Sequence, residues 1–118
     1  RNLQPGGALA FDISSKEKLQ QQAKERIFFE DLPHLTYLWQ NEWDEESQTV
    51  NMDLCFFERR SDGLYARFDE RQTQRAHEPE ALVLALKSAG FRDVRTYGNC
   101  TPGPPGAGEP RIHFTAVR

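Results

Sequence analysis

One short polar cluster stands where an α/β fold carries out its chemistry. The mostly apolar segment Ala8–Ile13 is bounded by turn signals, a pattern typical of a strand buried on both faces. Ligands of open α/β sheets bind beyond the carboxyl ends of the strands. Asp12 and Ser14 occupy that place, so they are candidates for orienting a polar ligand. The alternative is that they only cap the next helix, since Ser14 and Glu17 have capping-box spacing.

A second group of candidate residues is aromatic. Tyr37, Trp39 and Trp43 recur at odd-numbered positions of a segment that has the alternating pattern of a half-buried strand. Such rings can line a pocket or stack on a cationic or planar ligand. The alternative is that the rings form the core of a sheet against the helices, and this is the interpretation that we favour for Trp43.

Two charged residues further along the chain are candidates for contacting a substrate. Glu70 falls on the same predicted strand face as Leu64 and Phe68, which predicts that it is partly buried. Arg75 ends that strand, where a guanidinium group can bind an anionic substrate through two hydrogen bonds. The alternative is that this charged segment is a solvated strand face whose ion pairs contribute little energy.

Composition excludes several classes of protein. The chain has 118 residues and a net charge of −3, which predicts one small domain and argues against a nucleic-acid binder. No apolar run approaches the roughly 20 residues of a membrane span. Cys55 and Cys100 lack metal or redox spacing, so we expect two thiols in a reducing cytoplasm. The three histidines are scattered, and no metal site is predicted.

The alternation of apolar and polar residues between positions 26 and 75 predicts an antiparallel meander. Three long strands are expected at His34–Asp44, Gln48–Arg59 and Leu64–Arg75, after a short one at Ile27–Phe29. The pair Asp62-Gly63 supplies a hairpin turn between the last two strands. One face of this meander should be apolar and the other charged.

Helical spacing flanks the meander on both sides. A polar helix is predicted from Lys16 to about Glu25, and a second begins at Pro79 and ends before Gly90. Strands are then predicted at Phe91–Tyr97 and Arg111–Arg118. They are separated by a segment rich in glycine and proline that cannot form regular structure.

The order of these segments resembles the class I S-adenosylmethionine-dependent methyltransferases. The resemblance is closest to a bacterial small-molecule group that inserts an antiparallel, substrate-covering sheet after the fifth strand. It runs along essentially the whole chain. The residues that carry it are Leu3-Gln4-Pro5-Gly6-Gly7, Phe11-Asp12-Ile13-Ser14-Ser15, Tyr37-Leu38-Trp39-Gln40, Leu54-Cys55-Phe56-Phe57, Asp62–Glu70, Gln74-Arg75, Leu86–Phe91 and Arg111–Phe114.

The resemblance implies an α/β fold that is the C-terminal half of such an enzyme. Residues 1–25 and 76–118 would form the fifth to seventh strands of a partial Rossmann-like core, and residues 26–75 would form the inserted meander. The residues Arg1-Asn2-Leu3 are typical of a helix end. The family's glycine-rich cofactor loop and the acidic residue of its second strand have no counterpart in this chain, so the half alone is expected to be inactive.

The resemblance also implies roles for the candidate residues. Asp12 and Ser14 would lie at the edge of the S-adenosylmethionine site, and Tyr37 and Trp39 would wall a pocket for a small-molecule methyl acceptor. Glu70 or Arg75 would set the charge preference for that acceptor. One departure is that Gln72 and Thr73 stand where the family often has histidine and an aromatic residue, so no catalytic histidine is expected from this strand.

The same interpretation predicts a partner at one edge of the sheet. Without the fourth strand of the full fold, Ala8–Ile13 would present an open apolar edge, and such edges recruit partners. We expect self-association or pairing with a missing N-terminal half. The alternative function is a non-enzymatic interaction module that uses this edge or the aromatic face of the meander.

Overall fold

The computed structural model describes residues 3–25 and 27–118, which form two antiparallel sheets and two helices. The predicted helix end at Arg1 and Asn2, and the predicted domain boundary at Arg26, lie outside the described residues. In chain order the elements are β1 (Ala8–Ser14), α1 (Lys16–Lys24), β2 (Ile27–Asp31), β3 (Leu35–Asp44), β4 (Thr49–Arg59), β5 (Tyr65–Arg75), α2 (Pro79–Ser88), β6 (Arg92–Tyr97) and β7 (Arg111–Val117).

The chain divides into two compact units. One runs up to Lys18 and resumes over Ala76–Arg118, and the other is Leu19–Arg75. The first unit contains β1, α2, β6 and β7, and the second contains β2 to β5. The predicted assignment of these parts to a methyltransferase core and a substrate cap remains a prediction.

The sheet of the first unit has the order β1-β7-β6. Because β7 is antiparallel to both neighbours, β1 and β6 run parallel to each other. The alternating side chains Ile112, Phe114 and Ala116 of β7 are buried, as expected for a central strand. Phe11 stacks on Phe114 with ring centroids 4.9 Å apart, and this aromatic pair joins β1 to the core.

The prediction that β1 is buried on both faces is wrong for this structure. Its side chains alternate, with Leu9, Phe11 and Ile13 half-buried and Ala8, Ala10 and Asp12 exposed. The physical reason is that the described residues cover one face of β1, the face that bears Leu9, Phe11 and Ile13. A strand covered on one face only shows the alternation of a half-buried strand.

The residue that caps α1 is Ser15 rather than the predicted Ser14. Ser14 belongs to β1 and lies opposite Arg111 of β7, so its backbone is committed to the sheet. Ser15 is buried, and its hydroxyl oxygen accepts a hydrogen bond of 3.2 Å from the amide of Lys18, the third helical residue. This is the geometry of an N-cap serine, one position later than the sequence spacing indicated.

The end of α2 and the loop after β6 follow the sequence signals. Gly90 has a φ of +88°, and the amides of Gly90 and Phe91 donate to the carbonyls of Lys87 and Leu86, which together form a Schellman motif. The glycine- and proline-rich loop is tied at both ends. Gly98 donates to the carbonyl of Gly103, and the carbonyl of Pro110 accepts from the amide of Ser15.

The second unit is built on the predicted meander. Its sheet has the order β2-β3-β4-β5, and all three pairings are antiparallel. The turn between β4 and β5 contains Gly63 at a φ of +83°, and Asp62 accepts a hydrogen bond of 3.0 Å from the amide of Leu64. Helix α1 contacts this sheet: the side-chain amide of Asn41 donates to the carbonyl of Gln22 at 3.3 Å.

The cap assignment gives a stability prediction. Replacing Ser15 by Ala removes the acceptor for the Lys18 amide, and we expect a loss of about 1 kcal/mol in the free energy of unfolding. Ser14→Ala is the matched control and should cost less, since the Ser14 hydroxyl does not serve as the cap. Chemical denaturation followed by circular dichroism measures both variants. A larger loss for Ser14→Ala would contradict the assignment.

Candidate functional site

One face of the meander carries two neighbouring groups of aromatic rings, and this face is here called the aromatic face. It is formed by Phe28 of β2, Tyr37 and Trp39 of β3, Phe56 of β4 and Phe68 of β5. The ring centroids of Phe56 and Phe68 are 4.9 Å apart and stacked. Those of Tyr37 and Phe56 are 6.0 Å apart, and those of Phe28 and Trp39 are 5.9 Å apart. These distances are typical of interacting aromatic pairs.

The strand register brings these rings together. Residues that lie directly opposite each other in an antiparallel pair share a face of the sheet. Tyr37 is opposite Phe56, and Phe56 is opposite Phe68, which gives a row across three strands. Trp39 is opposite Phe28 on its other side. The pairing of the four strands therefore places the aromatic residues of β2, β3, β4 and β5 on the same face of the sheet.

The aromatic face is partly open to solvent. Tyr37, Trp39 and Phe56 are half-buried, whereas Phe28 is 36% exposed and Phe68 is 47% exposed. A core would cover such rings fully, and contiguous exposed apolar surface of this kind marks interaction sites. The arrangement fits a wall that contacts a ligand better than a closed hydrophobic core.

Glutamates border the aromatic face. The Tyr37 hydroxyl donates a hydrogen bond of 2.6 Å to Oε2 of Glu30, and this bond raises the pKa of Tyr37. Glu70 shares the face and accepts a hydrogen bond of 2.5 Å from the side-chain amide of Gln72. The predicted partial burial of Glu70 is wrong, because β5 is an edge strand and leaves this side chain exposed.

The two tryptophans of β3 have different surroundings. The Trp43 indole nitrogen donates to Oε2 of Glu45 at 2.6 Å, and the ring is half-buried. The Trp39 indole nitrogen is buried, and in the part of the chain that the structure describes no acceptor lies within hydrogen-bonding distance. An unpaired buried donor costs free energy, so an acceptor group brought close to Trp39 would be favoured.

The opposite face of the meander is a charged face with ion pairs. Arg71 donates two hydrogen bonds to the carboxylate of Asp53, at 2.6 and 3.2 Å, and Arg67 pairs with Asp69 at 3.0 Å. These guanidinium groups lower the pKa of both carboxyl groups. Burial raises the pKa of the Cys55 thiol between them. Because the pairs are exposed, they contribute little to stability.

Arg75 is not brought together with the other candidate residues. It lies opposite Thr49 on the charged face, whereas Tyr37, Trp39 and Glu70 lie on the aromatic face. The physical reason is parity, because an odd number of positions separates Arg75 from Glu70 and successive side chains of a strand point to opposite faces. Counting alternate positions along every strand in the same way also places Phe28, Glu30 and Phe68 on the aromatic face.

Asp12 and Ser14 lie at the end of β1 in the other unit. The Asp12 carboxylate forms an ion pair with Arg111, and Ser14 is the last paired residue of the strand. Asp12 is therefore already neutralised by a neighbouring strand.

The described residues give no sign of a metal centre or a membrane-spanning helix. Among residues 3–25 and 27–118, no group of three histidine, cysteine, aspartate or glutamate side chains could hold a metal ion. Within the same residues, neither helix is long and apolar enough to cross a membrane.

Comparison with known proteins supports the resemblance seen in the sequence. No protein-family model matches the chain. It is 31% identical over its full length to "Putative methyltransferase YqeM" of Bacillus subtilis (strain 168), and it covers 47% of that protein. It is 29% identical over 98% of its length to "Putative methyltransferase GWCH70_2453" of Geobacillus sp. (strain WCH70), again covering 47% of the relative.

A solved structure shares the fold of the chain. It is an S-adenosylmethionine-dependent methyltransferase from Clostridium acetobutylicum ATCC 824, with a TM-score of 0.82 and 28% sequence identity. The match covers 98% of this chain and 46% of that structure. The resemblance to methyltransferases is therefore confirmed in sequence and in fold. The predicted fold class is also confirmed, since the chain matches part of a methyltransferase structure. The chain spans about half the length of the curated relatives it matches.

The residues that the structure describes do not by themselves fit S-adenosylmethionine. Such a ligand carries a nucleoside, a sulfonium and an amino acid group, which together need several directed contacts. The candidates for them are Asp12, whose carboxylate is held by Arg111, and the adjoining Ser14 at the end of β1. Two adjoining residues, one of which is already paired, are too few to supply these contacts.

Proposed function

We propose that this chain is one part of an S-adenosylmethionine-dependent methyltransferase that acts on a small molecule. The observation that carries the proposal is the similarity along the whole chain, 31% in sequence to one relative and a TM-score of 0.82 to a solved enzyme. S-Adenosylmethionine supplies an electrophilic methyl group to such enzymes. A cytoplasmic location belongs to the same proposal, which the free thiols of Cys55 and Cys100 support.

In this proposal the aromatic face positions the methyl acceptor. Methyl transfer requires that the acceptor atom be held in line and that water be excluded, rather than elaborate acid–base chemistry. The half-buried rings of Tyr37 and Trp39 suit both tasks, because they are rigid and apolar and remain partly accessible. Asp12 and Ser14 would lie at the edge of the cofactor site, whose main part would come from outside these residues.

Calorimetric titration with S-adenosylhomocysteine tests whether the main part of the cofactor site lies outside these residues. We expect no saturable binding to the 118-residue chain. An extended protein, carrying the sequence that precedes this segment in its gene, should bind with a dissociation constant of about micromolar order. Micromolar binding by the short chain would contradict our account of Asp12 and Ser14. Absence of binding by the extended protein would contradict the proposed function.

Substitutions on the two faces of the meander test where the acceptor lies. In the extended, active protein, Trp39→Ala should lower kcat/KM about tenfold, since it removes a ring that walls the pocket. Arg75→Ala is the comparison, because Arg75 lies on the charged face of the same sheet. Steady-state kinetics measure both. A loss for Arg75→Ala with none for Trp39→Ala would assign the acceptor to the charged face instead.

We also propose that β1 forms an interface. It stands at the end of the described strand order, and its edge suits either a second copy of the chain or the preceding half of the protein. This edge is also what the alternative function, a non-enzymatic interaction module, would use. Light scattering of the 118-residue chain at high concentration should give a mass above that of the 13.6 kDa monomer. A monomer under those conditions would count against self-association.

A further inference from the structure

We propose that the aromatic face binds a small organic cation, and that the methyl acceptor therefore carries a substituted ammonium group. This inference deepens the proposed function, on which it rests for the role of the ligand as substrate. The evidence is the charge and ring content of one sheet face. The combination of exposed rings and carboxylates is chemically suited to cations and unsuited to anions.

The charged side chains of the aromatic face are all carboxylates. Following the register through the described strands β2 to β5, the charged residues on this face are Glu30, Glu58 and Glu70. Glu30 lies opposite Tyr37. Glu70 lies opposite Leu54, which in turn lies opposite Trp39. A negative charge therefore stands beside the rings on each of three strands, and no lysine, arginine or histidine of these strands shares the face.

The rings themselves favour a cation. The face of an aromatic ring carries partial negative charge and attracts ammonium groups within about 6 Å of its centroid. Phe56 and Phe68 are stacked, and Tyr37 lies beside Phe56 at 6.0 Å, so several rings border one area. The exposure of Phe68, 47%, leaves part of this area accessible.

The charged face of the same sheet makes the contrast clear. Two of its arginines form ion pairs with carboxylates, Arg71 with Asp53 and Arg67 with Asp69. The arginines of β2 to β5 all lie on the charged face, which also carries exposed apolar side chains such as Phe29 and Leu38. A carboxylate or phosphate on a substrate would meet repulsion on the aromatic face, whereas an ammonium group would be attracted to the nearest glutamate.

Three probes of nearly equal shape separate charge from apolar contact. Choline carries a trimethylammonium group, 3,3-dimethyl-1-butanol replaces that nitrogen by carbon, and 3,3-dimethylbutanoate is an anion of similar size. Each is titrated into the 15N-labelled 118-residue chain, and the indole N–H signal of Trp39 is followed by NMR. The Trp43 signal is assigned separately by Trp43→Phe, so that the two indole signals are distinguished.

We expect saturable shifts of the Trp39 signal with choline and a dissociation constant about fivefold weaker or more for the neutral alcohol. The anion should give no saturable shift. The affinity for choline should fall as the salt concentration rises, since the glutamates are exposed. Equal affinities for choline and the alcohol would overturn the proposal and show a merely apolar surface.

Adjacent residues of β5 provide a matched pair of variants. Glu70→Gln removes one negative charge from the aromatic face, and Asp69→Asn removes one from the charged face. Glu70→Gln should weaken choline binding about threefold and leave the alcohol unchanged, while Asp69→Asn should have a smaller effect. Both side chains are exposed, so neither change should unfold the sheet, and circular dichroism checks this. Equal effects of both variants would indicate only net charge and would contradict the proposal.

The two titrations distinguish a failure of the cation inference from a failure of the proposed function. If choline fails to bind while the extended protein binds S-adenosylhomocysteine, the cation inference is wrong and the methyltransferase proposal stands. If choline binds as expected while the extended protein shows no affinity for S-adenosylhomocysteine, the cation site is supported and its assignment to a methyl acceptor is withdrawn.

Discussion

The unbroken antiparallel register of β2 to β5 is the constraint on which the rest of the second unit depends. Each residue of these strands is paired with one directly opposite, from Ile27 with Gln40 to Arg75 with Thr49. Successive side chains must point to opposite faces, so a shift of one position on any strand would exchange rings for charges. The stacked pair Phe56–Phe68 and the ion pair Arg71–Asp53 exist together only in this register.

For the choice of register, the strength of individual contacts matters less than the face on which each side chain lies. The ion pairs of the charged face are exposed and contribute little energy, and the ring pairs of the aromatic face contribute on the order of 1 kcal/mol each. Together they disfavour a shift of one position, since slipping β5 would move Arg67 and Arg71 to the other face and away from Phe57 and Asp53. The meander is therefore specified by pattern, while Val50 and Met52 supply its buried apolar contacts.

The sequence predicted the elements well and the site less well, for physical reasons. Strict alternation and the Asp62-Gly63 turn were sufficient to predict the meander. Gly90 marked the end of α2, because the residue after the C-cap of this helix has a positive φ. The helix cap was misplaced by one residue, because two adjacent serines offer the same hydroxyl and only the strand pairing of Ser14 decides between them. Arg75 and Glu70 are close in sequence, but parity places them on opposite faces of β5. The exposure of Glu70 depends on β5 being an edge strand, which a single strand's pattern does not reveal.

The loop between β6 and β7 has its restraints at its ends. The Gly98 amide bonds to Gly103, a Cβ at Gly98 would lie 2.5 Å from a carboxylate oxygen of Glu109, and Pro110 is tied to Ser15. The residues between these anchors are largely exposed. Insertions and deletions among related proteins should therefore accumulate inside this loop, while its first and last residues keep their spacing to the strands. This part of the chain can change in length during evolution without moving the start of α1.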